Sequence, residues 1–180
     1  MFDTLNSLLE ALRKAPAQRD AYHEILSGIT FGKEELAPYI HFRTPYYTRN
    51  LIEKNPNFEI MTLCWQPGHY TPIHDHQGSE GWLHVIEGRV LEKIYHYNPS
   101  AEQDHILKVQ GEVTSEVGGL SHINDALGYH SIHNVGESQA ITLHFYSPAI
   151  KKCLYVCPDN FETRIKQLSY FSENGTIVAE

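Results

Sequence analysis

The chain has 180 residues, 41% of them hydrophobic, which suffices for one domain with a real core and is short for two. Its 14 basic and 22 acidic residues give a formal charge of -8, which repels phosphate backbones and argues against nucleic-acid partners. No run approaches the roughly 18 consecutive apolar residues of a membrane span, so we expect a soluble protein with no membrane partner.

The cysteines and the N-terminus indicate the compartment. Cys64, Cys153 and Cys157 are an odd number without the spacing of a disulfide framework, and no second cysteine pair completes a zinc site. The signature of an exported chain is a basic region followed by an apolar block, and the N-terminus lacks this pattern. We therefore expect a monomer in the reducing cytoplasm. The chain also has 12 histidines, and imidazole is the commonest protein ligand of transition metals.

The first part of the chain has helical periodicity. The leucines of residues 5–12 form one apolar face, and the apolar residues of 22–26 form a second. The segment 33–40 predicts a third short helix, and Pro45 closes the region. We expect residues 1–44 to form a small helical layer.

From residue 45 the pattern changes to short β-rich runs separated by turn residues. One run is WLHVIEGRVLEKIYHY, in which Gly88 occupies a hairpin position, and another is QAITLHFYSP. Short strands at regular spacing are typical of an antiparallel sandwich or barrel, so we predict an all-β-dominated fold. The expected organisation is a single domain in which residues 45–170 form the barrel and residues 171–180 form a tail, either a surface strand or disordered.

The stretch PIHDHQGSEGW raises the question of a metal site. Residues two apart on a strand point to the same side, so His74 and His76 can both reach one ion while Asp75 faces away. An isolated HxH triplet is more often a solvated turn, and the context decides between the two interpretations.

The context resembles the two motifs of the cupin barrel. Gly68-x5-His74-x-His76 is similar to the first motif, and the segment from Gly119 to Asn134, which contains His130, is similar to the second. The resemblance implies a cupin-type antiparallel β-barrel, a jelly roll, with a small N-terminal helical layer. It also implies His74, His76 and His130 as the metal ligands.

The cupin glutamate position and the third histidine ligand each have more than one candidate residue in the sequence. The cupin glutamate position falls on Gly81, and the adjacent Glu80 should turn to the opposite face of its strand, so we interpret it as a solvated carboxylate. His133 is the rival third ligand, but its odd separation from His130 puts it on the other face. The His130-x3-Asn134 spacing favours His130.

The match to one family is closer still. The runs YYTRNLI, LCWQPGHYTPIHDHQGS, INDALGYHSIHNV and LHFYSPAIKKC resemble cysteine dioxygenase in order and in spacing, from about Ile40 to Cys153. The resemblance implies a non-heme Fe2+ enzyme that adds both atoms of O2 to the thiol of L-cysteine and forms cysteine sulfinate.

The same resemblance assigns roles to four further residues. Arg49 would bind the substrate carboxylate, because a guanidinium fork grips a carboxylate in a bidentate way, and Tyr47 would lie beside the substrate. Tyr146 would donate from its hydroxyl to bound substrate or oxygen, and His144 would hold Tyr146 in place.

Other functions compete with this one. A related thiol dioxygenase would act on 3-mercaptopropionate or another small thiol, but members of that branch typically have glutamine at the position of Arg49. A non-catalytic metal-binding cupin would have no need of Arg49, His144 and Tyr146. A zinc-dependent cupin isomerase usually retains the carboxylate that Gly81 replaces.

Overall fold

The N-terminal layer contains two α-helices and one short 3-10 helix. The computed structural model describes residues 1–102 and 106–179. Helix α1 is Leu5–Lys14, α2 is Arg19–Ser27, and the 3-10 helix is Lys33–Tyr39. Thr4 begins α1, because its side chain accepts a hydrogen bond from the backbone N–H of Ser7. The helices expected from apolar periodicity are therefore present.

The rest of the described chain forms two sheets. The seven-stranded sheet contains β1 (Thr48–Lys54), β2 (Glu59–Trp65), β4 (Glu80–Glu87), β7 (Leu120–Ile123), β9 (Ala140–Ser147), β12 (Ser172–Glu173) and β13 (Thr176–Ile177). The six-stranded sheet contains β3 (Ile73–His74), β5 (Arg89–Tyr97), β6 (Leu107–Glu116), β8 (Tyr129–Asn134), β10 (Lys152–Val156) and β11 (Thr163–Gln167).

The strand order follows from long-range pairing. The seven-stranded sheet runs β13-β12-β1-β2-β9-β4-β7, and the six-stranded sheet runs β11-β10-β3-β8-β5-β6. The described pairs are antiparallel except β1 with β12, which is parallel. The predicted jelly-roll fold with a helical layer is confirmed, and its strands lie in two sheets rather than in one closed barrel.

Gly88 corrects one expectation. We expected a hairpin there, but β4 pairs with β7 and β9 whereas β5 pairs with β6 and β8. The chain crosses from one sheet to the other at Gly88, whose φ of 81° is readily adopted by glycine. A Cβ at this position would lie 2.8 Å from the Cβ of Ala140, so the crossing also requires the smallest residue.

The seven-stranded sheet is covered on both faces. Its outer face packs on the helices, where the ring of Tyr22 lies 4.7 Å from that of Phe145. Its inner face packs on the six-stranded sheet through a second cluster that includes Leu63 and Ile132. Every residue of β2 is therefore buried, which explains why the run EIMTLCW does not alternate in polarity.

The tail takes part in the sheet. The backbone N–H of Phe171 donates to the carbonyl of Arg49, and Ser172 pairs with Asn50 in parallel register. Of the tail, Glu180 lies outside the described residues, and the division at residues 44 and 170 stays a prediction. No helix in the described ranges is long and apolar enough to cross a membrane.

Leu8 tests the attachment of the helical layer. The side chain is fully buried, so Leu8→Ala should lower the free energy of unfolding by about 2–5 kcal/mol through lost burial and a residual cavity. Leu127, which is 46% exposed, provides the matched control, and Leu127→Ala should change stability by less than about 0.5 kcal/mol. Urea unfolding measures both, and equal losses would contradict the packing described above.

Candidate metal centre

Three histidines converge between the two sheets. His74 on β3 lies opposite His130 on β8 in antiparallel register, and His76 follows two residues after His74. One ring nitrogen from each lies within 4.8 Å of the others. His76 and His130 are buried, and His74 is partly buried. The structure thus brings together the three residues selected from the sequence.

The hydrogen bonds behind two of the rings determine where their lone pairs point. Nδ1 of His74 lies 2.8 Å from the carbonyl oxygen of Pro72, and Nδ1 of His130 lies 2.6 Å from Oε1 of Glu92. Both partners accept, so each Nδ1 donates, and a neutral ring then has only a lone pair at Nε2. The two Nε2 atoms are 3.3 Å apart. Two lone pairs at this distance repel each other, and a shared cation removes the repulsion.

His76 gives a second sign of a missing partner. Both of its ring nitrogens are buried without a hydrogen-bond partner among the described residues. Leaving a buried polar atom unsatisfied costs about 1–3 kcal/mol. Burial is the main cause that holds the pKa of His76 well below its usual value and lowers the pKa of His74 to about 3. Neutral imidazoles are the form that a metal ion binds, so the donor set fits a transition metal.

Two aspartates hold the loop that carries His76. Asp75 faces away from the centre and accepts from the backbone N–H of Leu154 at 2.8 Å. Asp125 accepts from the backbone N–H of His76 at 2.8 Å and from that of Gly78 at 2.7 Å. Asp125 therefore fixes the backbone beside a candidate metal ligand, a role that the sequence did not reveal.

Gly81 occupies the position of the cupin glutamate, and neighbouring side chains leave little space beside it. It lies opposite Tyr146 in the register of β4 and β9. A Cβ here would be 3.2 Å from Cε1 of Tyr146 and 3.3 Å from Cδ2 of His76, which is closer than ordinary packing allows. A glutamate side chain has no room without displacing one of these rings.

Glu80 corrects a second expectation. It faces away from the three histidines, as predicted, but it is not a freely solvated carboxylate. Its Oε2 lies 2.5 Å from Nε2 of His122, and the amide of Asn124 donates to both of its oxygens at 3.3 Å. His133 also lies outside the centre, where its ring stacks on Tyr70 at 5.6 Å.

A buried chain of hydrogen bonds ends at Tyr146. The indole N–H of Trp65 donates to Oγ1 of Thr142 at 2.9 Å, Oγ1 lies 2.9 Å from Nε2 of His144, and Nδ1 of His144 lies 3.1 Å from the hydroxyl of Tyr146. Because Trp65 can only donate, the Thr142 hydroxyl is able to donate to His144, and His144 to the Tyr146 oxygen. The Tyr146 proton then remains available to the centre, and burial raises the pKa of Tyr146.

Arg49 lies beside the centre with part of its guanidinium unused. Its Nη2 is 3.5 Å from Oε1 of Glu59, whereas its Nε is buried without a partner among the described residues. Its charge contributes to the lowered pKa values of His74 and His144. The ring of Tyr47 stacks on Trp65 at a centroid distance of 4.6 Å.

A cavity of about 550 Å³ opens next to these side chains. Arg49 and Tyr47 line it together with Tyr170 and Lys166 from the C-terminal residues, and the three histidines lie outside its described lining. The cavity therefore brings Arg49 and Tyr47 to one wall of a space large enough for a small molecule.

Glu59 and Tyr170 fix Arg49, and neither residue was predicted from the sequence. Glu59 is fully buried, and it accepts a hydrogen bond from the Tyr170 hydroxyl and pairs with Lys54 at 3.5 Å. The guanidinium carbon of Arg49 lies 5.8 Å from the Tyr170 ring centroid. The only sequence signal was a charged residue at the start of an apolar strand.

Comparison with known proteins agrees with this architecture. The chain has a TM-score of 0.52 to the crystal structure of a Thermus thermophilus protein that is 16% identical, over 63% of this chain and 94% of that one, which is a likeness of fold alone. Fold and donor set together define a cupin with a three-histidine centre.

The family model for cysteine dioxygenase type I matches residues 1–156. Cysteine dioxygenase type 1 of Danio rerio is 28% identical over 153 residues, which are 84% of this chain and 76% of that protein. The Rattus norvegicus protein is 34% identical over 131 residues, 72% of this chain and 64% of its own length, and the Bos taurus protein is 31% identical over 156 residues, 83% and 77%. The chain belongs to the cysteine dioxygenase type I family, so the resemblance seen in the sequence is confirmed.

Thr142 tests the hydrogen-bond chain. Thr142→Val keeps the shape of the side chain but removes Oγ1, which leaves the indole N–H of Trp65 and Nε2 of His144 without their partner. We expect a loss of about 1–3 kcal/mol or more in the free energy of unfolding. Thr142→Ser keeps the hydroxyl and is the matched control. Urea unfolding followed by tryptophan fluorescence measures both, and a valine variant as stable as the serine variant would disprove the chain.

Proposed function

We propose that the protein is a non-heme Fe2+ dioxygenase that adds both atoms of O2 to the thiol of L-cysteine and releases cysteine sulfinate. The observation that carries the proposal is the convergence of three histidine rings beside a glycine, where other cupins have a carboxylate, in a chain of the cysteine dioxygenase type I family.

His74, His76 and His130 are the residues that would hold the iron. Three neutral ligands leave the positive charge of the ion uncancelled and several coordination positions open. A bound ferrous ion supplies oxygen activation and favours the thiolate form of the substrate. Because Gly81 has no side chain, the Tyr146 ring can lie next to His76, at a centroid distance of 6.0 Å.

Arg49 selects the substrate through its carboxylate. Its unpartnered Nε and its fixed position against Glu59 leave a pre-oriented donor edge at the cavity. A buried donor without a partner is costly, so a carboxylate that satisfies it gains both charge pairing and the missing hydrogen bond. Tyr47 forms the neighbouring wall of the cavity.

Tyr146 and His144 hold a phenol proton in position beside the substrate sulfur. Burial keeps the Tyr146 hydroxyl protonated by raising its pKa, and it keeps His144 neutral by lowering its pKa well below the usual value. His144 thereby holds the phenol oxygen while the phenol proton points away from it, toward substrate or oxygen.

A monomer in the reducing cytoplasm is part of the same proposal, and the free thiols of all three cysteines support the compartment.

Iron content tests the ligand set. Replacing His74, His76 or His130 by Ala should remove most of the bound iron and the cysteine-dependent uptake of O2, because each removal leaves at most two protein ligands. His133→Ala is the matched control and should retain both. Iron retained in His130→Ala, or lost in His133→Ala, would overturn the assignment.

Substrate preference tests Arg49. A charge-assisted hydrogen bond contributes about 1.5–3 kcal/mol, so kcat/KM for cysteine should exceed that for cysteamine, which lacks the carboxylate, by roughly 10- to 100-fold. Arg49→Gln should remove most of this preference, whereas Arg43→Gln on the same cavity should preserve it. O2 uptake with cysteine, cysteamine and 3-mercaptopropionate measures the preference. Equal rates with cysteine and cysteamine in the native protein would refute the role of Arg49, and a faster reaction with 3-mercaptopropionate would reassign the substrate.

A further inference from the structure

One of the three histidines differs from the other two in what lies behind it. His74 donates to a neutral backbone carbonyl, and neither ring nitrogen of His76 has a partner among the residues that the structure describes. His130 alone donates to a carboxylate, that of Glu92 at 2.6 Å. The difference is electrostatic, because only His130 has a full negative charge on the side away from the other two rings.

Glu92 is an ionisable residue that is almost fully buried. Its side chain on β5 is only 8% exposed, and its ion pair within the described residues is with His130. Ile94 rather than Glu92 lies directly opposite His130 in the register of β5 and β8, so the carboxylate reaches the ring diagonally across the two strands. Burying a carboxylate is costly, and replacing such a pair with apolar residues often improves stability, so stability alone does not explain this residue.

Glu92 supplies a carboxylate behind His130, whereas Gly81 supplies none at the position of the cupin glutamate. Cupins of the common kind place a glutamate directly on the metal, and here a Cβ at that position would already crowd Tyr146 and His76. A carboxylate behind a ligating imidazole fixes the tautomer and raises the basicity of the nitrogen that faces the metal. Negative charge therefore reaches the ion through His130 without occupying a coordination position.

We propose that Glu92 is a positioning residue that restores, from behind His130, the negative charge of the missing carboxylate ligand. It keeps the His130 proton on Nδ1, directs the Nε2 lone pair at the iron, and favours the ferric over the ferrous ion. The inference rests on the proposed iron site and adds to it a determinant of affinity and redox balance.

Glu92→Gln separates charge from shape. The amide oxygen still accepts from Nδ1, but the negative charge is lost. Loss of such a partner typically costs 10- to 100-fold in metal affinity, so the dissociation constant for Fe2+, from competition with a colorimetric chelator, should rise by about that factor. The affinity for the ferric ion should fall about tenfold further than the affinity for the ferrous ion. This difference corresponds to a rise of about 59 mV in the midpoint potential of the bound iron.

Glu112→Gln is the matched control. It removes the same charge on the adjacent strand β6, where Glu112 is exposed and pairs with Lys93. We expect its affinity and potential to equal those of the native protein. Glu92→Asp keeps the charge but withdraws the oxygen by one methylene, and it should also weaken iron binding, which provides a second variant if the glutamine protein does not fold.

The outcomes distinguish the two proposals. Native protein that binds no iron would overturn the proposed function itself. Native protein that binds iron, with Glu92→Gln unchanged in both affinity and potential, would overturn only the role of Glu92. Independently of any variant, nitrogen NMR of the zinc-loaded native protein should show the His130 proton on Nδ1, and a proton on Nε2 would refute the inference.

Discussion

The centre depends on the hydrogen-bond acceptors that lie behind two facing imidazoles. A neutral ring has one N–H, and the Pro72 carbonyl and the Glu92 carboxylate keep that proton on the outer nitrogen of His74 and His130. Two lone pairs are then directed at each other across 3.3 Å, with the unpartnered His76 beside them. Such an arrangement is unfavourable unless a cation lies within it. The fold maintains it because the two strands that carry these rings pair with His74 opposite His130.

Strand β9 connects this chemistry to the stability of the whole fold. Successive residues of a strand face opposite sides, so Phe145 packs on the helices while His144 and Tyr146 face the inside. The aromatic contact between Tyr22 and Phe145 therefore also holds the strand from which the two site residues project. The helical layer does not touch the reacting atoms, but it fixes the strand that determines their position.

The buried charges follow a common rule. Glu59 pairs with Arg49 and Lys54, and Glu92 pairs with His130, so each of these two buried carboxylates has a cationic or hydrogen-bonding partner. In both cases one partner is a residue of the proposed site. The pairing orients that residue and leaves one of its nitrogen atoms available for a ligand or an ion. Arg49 Nε has no hydrogen-bond partner among the described residues and is the proposed donor to a ligand, and the proposed metal-facing nitrogen of His130 keeps its lone pair. The desolvation cost of these charges is the cost of orienting functional groups in advance.

The sequence by itself determined the helices and the faces of the strands, because apolar periodicity and alternation are local properties of the chain. It also selected His74 and His76, because residues two apart on a strand share one face, and the resemblance to the second cupin motif added His130. Only the tertiary structure decided which groups lie behind those residues. Tyr170 reaches Glu59 from 111 positions away, and Glu92 reaches His130 from 38. Such contacts depend on which strands pair and in what register, and a local pattern contains no information about a distant partner.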